Sequence, residues 1–241
     1  MTVKVFISAG HGGSDPGAIS YDGKYNEKDF NLAIAKYVKE ELDRHGVETM
    51  LSRDSDVRIT VDNYVKMCNE YRPTYALDIH NNASSTSTSN GSEVFHSING
   101  GTGQILAQNI QDELVALGQN DRGIKTRKNS KGKDYYGFIR STICPAVIVE
   151  CGFMTNKLDV SKMNTPEKKK AFAIAIAKGV LKTANIPYIE PVIKKEPVEE
   201  VVVGYRVQMG VYKNRDNAQN MVDKLTKAGF KPAIVAVKVT K

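Results

Sequence analysis

Apolar residues along this chain fall into two rhythms. Short, nearly continuous runs occur at Val3 to Ile7, Ala76 to Ile79 and Ala146 to Val149, bounded by Gly, Pro or polar residues. Runs of that length read as strands buried on both faces. Val47 to Ser52 and Ser92 to Ser97 read as further strands, and Tyr136 to Ile139 as a weak one. Between them the spacing changes to three and four residues. Phe30, Ile34, Val38 and Leu42, with Ala33 and Tyr37, form the stripe of an amphipathic helix. Val61, Val65 and Met67 mark a second helix, closed by Pro73. Leu106, Ile110, Leu114 and Leu117 mark a third, ended by Gly118. Thr165-Pro166-Glu167 is a cap, first-turn proline and acidic start for a last helix, Phe172 to Thr183. Strands alternating with helices predict an α/β fold: a mainly parallel twisted sheet flanked by helices.

Two stretches lack either rhythm. Asn81 to Gly91 is rich in Ser and Thr and reads as a surface loop, and Asn120 to Asp134 is polar and basic, a rim or lid. From Pro187 the character shifts to three prolines with paired Lys and paired Glu, which is a linker. Beyond it, Tyr205 to Met209 reads as strand. Ala218, Met221, Val222 and Leu225 read as a helix ended by Gly229, and Ala233 to Val239 as strand. The expected organisation is a domain over residues 1–186, a linker over 187–203 and a small β-α-β C-terminal module over 204–241.

Composition narrows the class. The 241 residues are 41% hydrophobic and 25% charged, as in a globular protein with one ordinary α/β domain and a small appendage. No apolar run approaches the ~20 residues of a membrane span. The N-terminus is already strand, so no leader is visible there. Net charge is +7. Basic residues are scattered apart from Lys168 to Lys170 and the loop Lys125 to Lys133, and no nucleic-acid motif is present. An anionic target other than nucleic acid, such as a cell wall, fits this charge. Cys68, Cys144 and Cys151 are odd in number and lack metal-finger spacing, so no disulfide framework follows.

Candidate chemistry sits where strands stop. The first strand runs into Gly10-His11-Gly12-Gly13, the strand from Ala76 into His80, and the strand from Ala146 into Glu150. Sites in open α/β sheets form outside the carboxyl ends of strands, so these three residues are expected to converge. Glu27 stands in the first turn of the first long helix, after the cap Asn26 and three residues before the inward-facing Phe30. Two His and one Glu form a ligand set for catalytic zinc that leaves a fourth position for water. His11, Glu27 and His80 supply that set, and Glu150 can serve as base and then acid. Against a cysteine nucleophile, Cys151 follows Glu150 within an apolar strand, where a thiol is inert packing. His45 reads as a capping cation near a helix end, and His96 as structural or rim. Gly12, Gly13 and Asp15 lack the remaining residues of a phosphate loop.

These segments carry a resemblance. Ala9 to Ala18 (AGHGGSDPGA), Glu27-Lys28-Asp29, Ser52-Arg53-Asp54, Asp78 to Ala83 (DIHNNA) and Val149 to Phe153 (VECGF) resemble the zinc-dependent N-acetylmuramoyl-L-alanine amidases, in the family's order, over nearly all of residues 1–186. The resemblance implies zinc as cofactor, His11, Glu27 and His80 as its ligands, and Glu150 as the catalytic glutamate. Asn82 and Arg140 are the candidate substrate-binding residues. The implied substrate is peptidoglycan, cut at the amide joining the muramic lactyl group to L-alanine by zinc-activated water. Asp78 stands where the family often has Ser; not being a ligand, it is expected to matter little. Tyr205 to Tyr212, with Asn217-Ala218 and Ala228-Gly229, resembles the first half of a sporulation-related repeat, a glycan-binding module. Two chains could complete that module as a homodimer. A zinc peptidase acting within the stem peptide, or a non-catalytic wall-binding protein, are the alternative readings. Action at the cell wall, after release by lysis or a holin, is the expected location for an autolysin, sporulation lysin or phage endolysin.

Overall fold

The computed structural model describes residues 2–191 and 210–235 of the chain. It divides into two units, Met1–Pro191 and Val192–Lys241. In the first, six strands form one sheet: β1 (Lys4–Ala9), β2 (Glu48–Leu51), β3 (Tyr75–Asn82), β4 (Ser92–Phe95), β5 (Asp121–Lys125) and β6 (Ala146–Phe153). Their order is β2-β1-β3-β6-β4-β5. All neighbours pair in parallel except β4 and β6, which run antiparallel. The helices are α1 (Glu27–Arg44), α2 (Val61–Tyr71), α3 (Thr102–Ala116), α4 (Gly137–Ser141), α5 (Lys157–Ser161) and α6 (Pro166–Thr183).

Alternation along the strands builds two cores. Val5, Ile7, Leu77, Ile79, Val147 and Val149 face α1, α3 and α6, meeting Phe30, Ile34, Leu106, Ile110, Ile176 and Val180. On the other face Phe6, Ala76, Ala146 and Ile148 meet Tyr64, Val65 and Cys68 of α2 and Phe138 and Ile139 of α4. The strands between these layers are covered on both sides, which is why they read as apolar runs. Helices α3 and α6 approach so closely that a Cβ on Gly179 would lie 2.6 Å from the Ile110 Cα. Thr165 caps α6 by accepting from the Lys168 N–H, with Pro166 in the first turn, as its sequence predicts.

Two local expectations are corrected, and a third is met without its usual hydrogen bond. Tyr136 to Ile139 is not strand: Tyr136 is the N-cap of α4, whose adjacent Phe138 and Ile139 are both buried. Two neighbouring inward residues suit a helical turn better than a strand with one face to solvent. Asn120 to Asp134 is not wholly rim, because Asp121–Lys125 is the edge strand β5 beside β4. An edge strand needs few inward apolar residues, and here Ile124 packs on the core. Asn26 is the N-cap of α1, but its side chain accepts no capping hydrogen bond.

In the second unit, α7 (Arg215–Lys227) covers the expected helix, with Asn214 accepting from the Asp216 N–H. The expected strand Tyr205 to Met209 lies outside the described residues. So does most of the strand expected from Ala233, whose described part, Ala233 to Val235, is not in a ladder. Among the described residues, no helix is long and apolar enough to cross a membrane.

Candidate metal centre

Strand ends and one helix start bring the polar residues together. Beyond β1, the Gly10 N–H donates to the Ile79 carbonyl at 3.0 Å, so the chain stays beside β3 for one more residue before it turns. His11 then adopts φ 64°, a left-handed conformation that a side-chain-bearing residue rarely takes. Its Nε2 lies 3.2 Å from Glu27 Oε2, and His80 Nδ1 lies 3.0 Å from Glu27 Oε1. The two imidazoles stand edge to face with centroids 5.1 Å apart. One ligand atom from each of His11, Glu27 and His80 lies within 4.8 Å of the others. Glycine is required around this group: a Cβ on Gly10 would overlap the His80 ring, and one on Gly17 would fall 2.6 Å from Glu27 Oε2.

Glu27 is 3% exposed yet well supplied with donors. The Ala18 N–H donates to Oε2 at 2.9 Å, and the Asn81 N–H and Asn31 Nδ2 each donate to Oε1 at 3.0 Å. Burial opposes the charge of Glu27, but hydrogen bonds from His11 and His80 outweigh it and hold the carboxyl far below the usual range. The Glu27 hydrogen bond likewise raises His11. Burial lowers His80, but Asp78 and Glu27 reverse this and raise it well above an ordinary imidazole. The pocket therefore attracts protons to two nitrogens, and the same potential favours a cation in their place. Two imidazoles and one carboxylate, converging from rigid elements, are a donor set that fits zinc.

Glu150 comes from the neighbouring strand, in register with His80. Its Oε2 is buried and, among the described residues, has no hydrogen-bond partner. Burial pushes this carboxyl up to about 7, with Glu27, Glu93 and Asp78 adding to the rise and His80 opposing it. On its other side Glu93 is also in register with Glu150. Glu93 accepts from Asn82 Nδ2 at 2.8 Å and from Arg122 Nε at 2.9 Å. Asn82 is thus placed beside the glutamate pair, its side chain bound to Glu93 and to the Ala83 N–H. Arg140 is not brought to this group. It lies in α4, donates to the Asp134 and Tyr135 carbonyls, and lines a separate cavity of about 310 Å³ with Ser97, Gly103 and Ala146.

Several supporting residues have roles that their place in the sequence does not reveal, although Ser52-Arg53 belongs to a segment that carries the resemblance. Arg53, 4% exposed, donates to the carbonyls of Ala9, Gly10, Lys28 and Ser55, tying the His11 turn to the start of α1. Ser52 Oγ accepts from the Ala9 N–H, so the Ser52-Arg53 pair braces the end of β1. Asn31 is four residues from Glu27, one helical turn along the same face, and this spacing was the available clue. The remaining histidines are structural. His45 Nδ1 meets the Glu41 carbonyl at 2.8 Å at the end of α1, and the buried His96 Nδ1 meets the Ser97 carbonyl. Cys151 is fully buried, which pushes its thiol up and leaves it inert.

The model of the N-acetylmuramoyl-L-alanine amidase family matches residues 5–182, and that of the SPOR domain matches residues 202–241. The chain is 35% identical over 180 residues to the N-acetylmuramoyl-L-alanine amidase LytC of Bacillus subtilis (strain 168), covering 73% of this chain and 34% of LytC, so it spans about a third of that relative. It is 28% identical over 230 residues to the sporulation-specific N-acetylmuramoyl-L-alanine amidase of the same organism, covering 95% of this chain and 82% of the relative. Among solved structures, the catalytic domain of the amidase CwlV from Bacillus (Paenibacillus) polymyxa var. colistinus superposes with a TM-score of 0.70 at 29% identity, over 77% of this chain and all of that one. By the match from β1 to α6, the chain belongs to the N-acetylmuramoyl-L-alanine amidase family.

Proposed function

We propose that this peptidoglycan amidase works with zinc held by His11 Nε2, His80 Nδ1 and the Glu27 carboxylate, and with Glu150 as its acid–base group. The observation that carries the proposal is the pairing of the three-donor cluster with Glu150 one strand away. Zinc in that cluster supplies Lewis acidity, which polarises the scissile carbonyl and makes water nucleophilic near neutral pH. Glu27 contributes one negative charge, so a dication there keeps a net positive field.

Glu150 is matched to the proton work. A carboxyl pushed up to about 7 takes a proton from the attacking water near neutral pH. It then returns that proton to the departing nitrogen, which leaves as the amino group of L-alanine. The other product is the lactyl carboxylate of muramic acid. Water is consumed, one C–N bond breaks, one C–O bond forms, and Glu150 ends as it began. Arg53, Asn31 and the Asn81 N–H hold the donors before substrate arrives, so little reorganisation is needed during the reaction. Asn82, held beside Glu93, is the candidate to meet the substrate. The C-terminal module adds wall affinity, consistent with its match to the SPOR domain and with the chain's +7 charge.

Mass spectrometry of peptidoglycan digested by the full chain is the test. Intact stem peptides with a free N-terminal L-alanine are expected, whereas fragments cut within the stem would show a peptidase instead. His11→Ala and Glu27→Ala are expected to lose zinc together with activity.

A further inference from the structure

His80 presents its two nitrogens to two different carboxylates. Nδ1 lies inside the donor cluster, 3.0 Å from Glu27 Oε1, while Nε2 lies 3.4 Å from Asp78 Oδ2. A neutral imidazole that lends Nδ1 to a cation must carry its proton on Nε2. That N–H then needs an acceptor, because the ring is largely enclosed. Asp78 is two residues before His80 on β3 and on the same face, so the pleat itself sets the pair side by side.

We infer that Asp78 is the positioning residue of His80: its carboxylate accepts the Nε2–H, fixes which nitrogen faces the metal, and tightens metal binding. The inference rests on the zinc reading given above. Asp78 is 1% exposed and sits mid-strand, in register with Ser8 of β1 and Ile148 of β6. It has little freedom to turn away. Tyr64 of α2 donates its O–H to the same Oδ2 at 3.1 Å, and Tyr64 is itself packed edge-on against Phe138. The other oxygen, Oδ1, is buried with no partner among the described residues. A carboxylate so enclosed, with one phenol for company, is costly unless a positive charge joins it. An imidazole that shares a dication's charge is that partner. His11 has a counterpart arrangement, with Nδ1 3.0 Å from Asp15 Oδ2, but Asp15 is 39% exposed and water can replace it. The buried carboxylate beside His80 is therefore where an outer partner counts most. Asp78 is not a ligand, as its sequence suggests, yet it touches one.

Zinc affinity of the full chain, measured by competition with a chromogenic chelator, tests this. Asp78→Ala is expected to weaken zinc binding about 10- to 100-fold, the usual effect of losing such a partner. Asp78→Asn keeps a carbonyl acceptor without the charge and is expected to fall between Asp78→Ala and the parent. Tyr64→Phe frees the carboxylate and is expected to cost a few-fold. Replacing zinc by cobalt gives a second readout, since the visible absorption of Asp78→Ala should shift as the His80 ring reorients. A purely structural role for Asp78 would lower the unfolding temperature in chelator while leaving the affinity of the folded protein unchanged, and that result overturns the inference. So does an Asp78→Ala loss as complete as that of His80→Ala, which would make Asp78 a ligand. If His80→Ala binds zinc as tightly as the parent, the zinc reading itself falls. Should Asp78→Ala not fold, parent-like affinity in both Asp78→Asn and Tyr64→Phe is the refuting outcome.

Discussion

Glu150→Gln should make the metal-free protein more stable and the enzyme nearly inactive, and the size of the first effect follows from burial. The carboxyl moves from an ordinary 4.5 to about 7 in the folded chain. Between those values the folded state keeps a proton that the unfolded chain has released. The stability tied to that proton is therefore full below pH 4.5 and is lost as the pH rises through about 7. The shift corresponds to at most ~3.5 kcal/mol at 1.36 kcal/mol per pH unit, less whatever solvent reaches the open side of the residue. Glutamine keeps the shape but carries no charge at any pH. In excess chelator, raising the pH from near 4.5 to 8 should shift the unfolding temperature of the variant relative to the parent upward by as much as roughly 7–14 °C. Comparing the two pH values cancels any cost of the buried amide itself. Turnover at pH 7 should fall at least ~10²-fold with zinc content near normal, because only the acid–base group is removed. Calorimetry of both proteins at both pH values, with metal analysis, is the assay. A stability difference between variant and parent that does not grow from pH 4.5 to pH 8 would refute the electrostatic reasoning, and a variant that lost its zinc would make Glu150 a ligand.

Gly10→Ala should strip the metal site without altering any donor, since the added methyl overlaps the His80 ring; a full equivalent of zinc retained by the variant counts against this packing. Asp159→Ala should cost about 2–4 kcal/mol in urea unfolding, because the buried Oδ2 accepts from the Gly91 N–H at 2.8 Å and the Phe153 N–H at 2.9 Å and both would be left unpaired. Zinc content of that variant should not change, and a loss below ~1 kcal/mol would mean that water replaces the carboxylate. A chain ending at residue 191 should cleave small soluble muropeptides at the parent rate yet sediment less with purified cell walls; equal sedimentation would remove the tail from wall binding. The acid limb of the full enzyme's pH–rate profile should lie at or below about 7, since a nearby dication can only lower the Glu150 carboxyl from there, and a limb above 7 would assign the limb to another group.

What could be read in the residues depended on how many neighbours each element has. Strands β1, β3 and β6 lie inside the sheet, so their apolar runs are dictated by both faces and stand out. Strand β5 lies at the edge and needs only Ile124 inward, which leaves Arg122 and Lys125 to disguise it as loop. Helix α4 is one turn long, too short for any period to show. The same logic applies to the cluster. His11, His80 and Glu150 follow apolar runs directly, so the strand-end rule picks them out. Glu27 was legible through its place in the first turn, before the inward-facing Phe30. Arg53 acts through backbone carbonyls, and a carbonyl leaves no trace in a sequence; nothing short of the fold could have joined it to Gly10. Asp78 is plain in the sequence, but its place against His80 shows only once the strand face and the buried Tyr64 are known.

The electrostatics of the cluster also explain why its frame is so heavily braced. Glu27, Asp78, Asp15 and Glu150 lie around two imidazoles, with Glu93 beyond them. Without a cation, that many carboxylates repel one another and pull protons onto His11 and His80, as the raised imidazoles show. A frame that relied on the cation to assemble would fold poorly until one arrived. Here the positions are fixed by contacts that need no metal: the Arg53 guanidinium on four carbonyls, Asn31 bridging the Gly10 carbonyl and Glu27, and the glycines that let His80 and Glu27 sit against the backbone. A cation bound there, as proposed above, would relieve that repulsion in a site already shaped for it, so its binding energy would go into affinity and into the field felt by substrate rather than into ordering the loop.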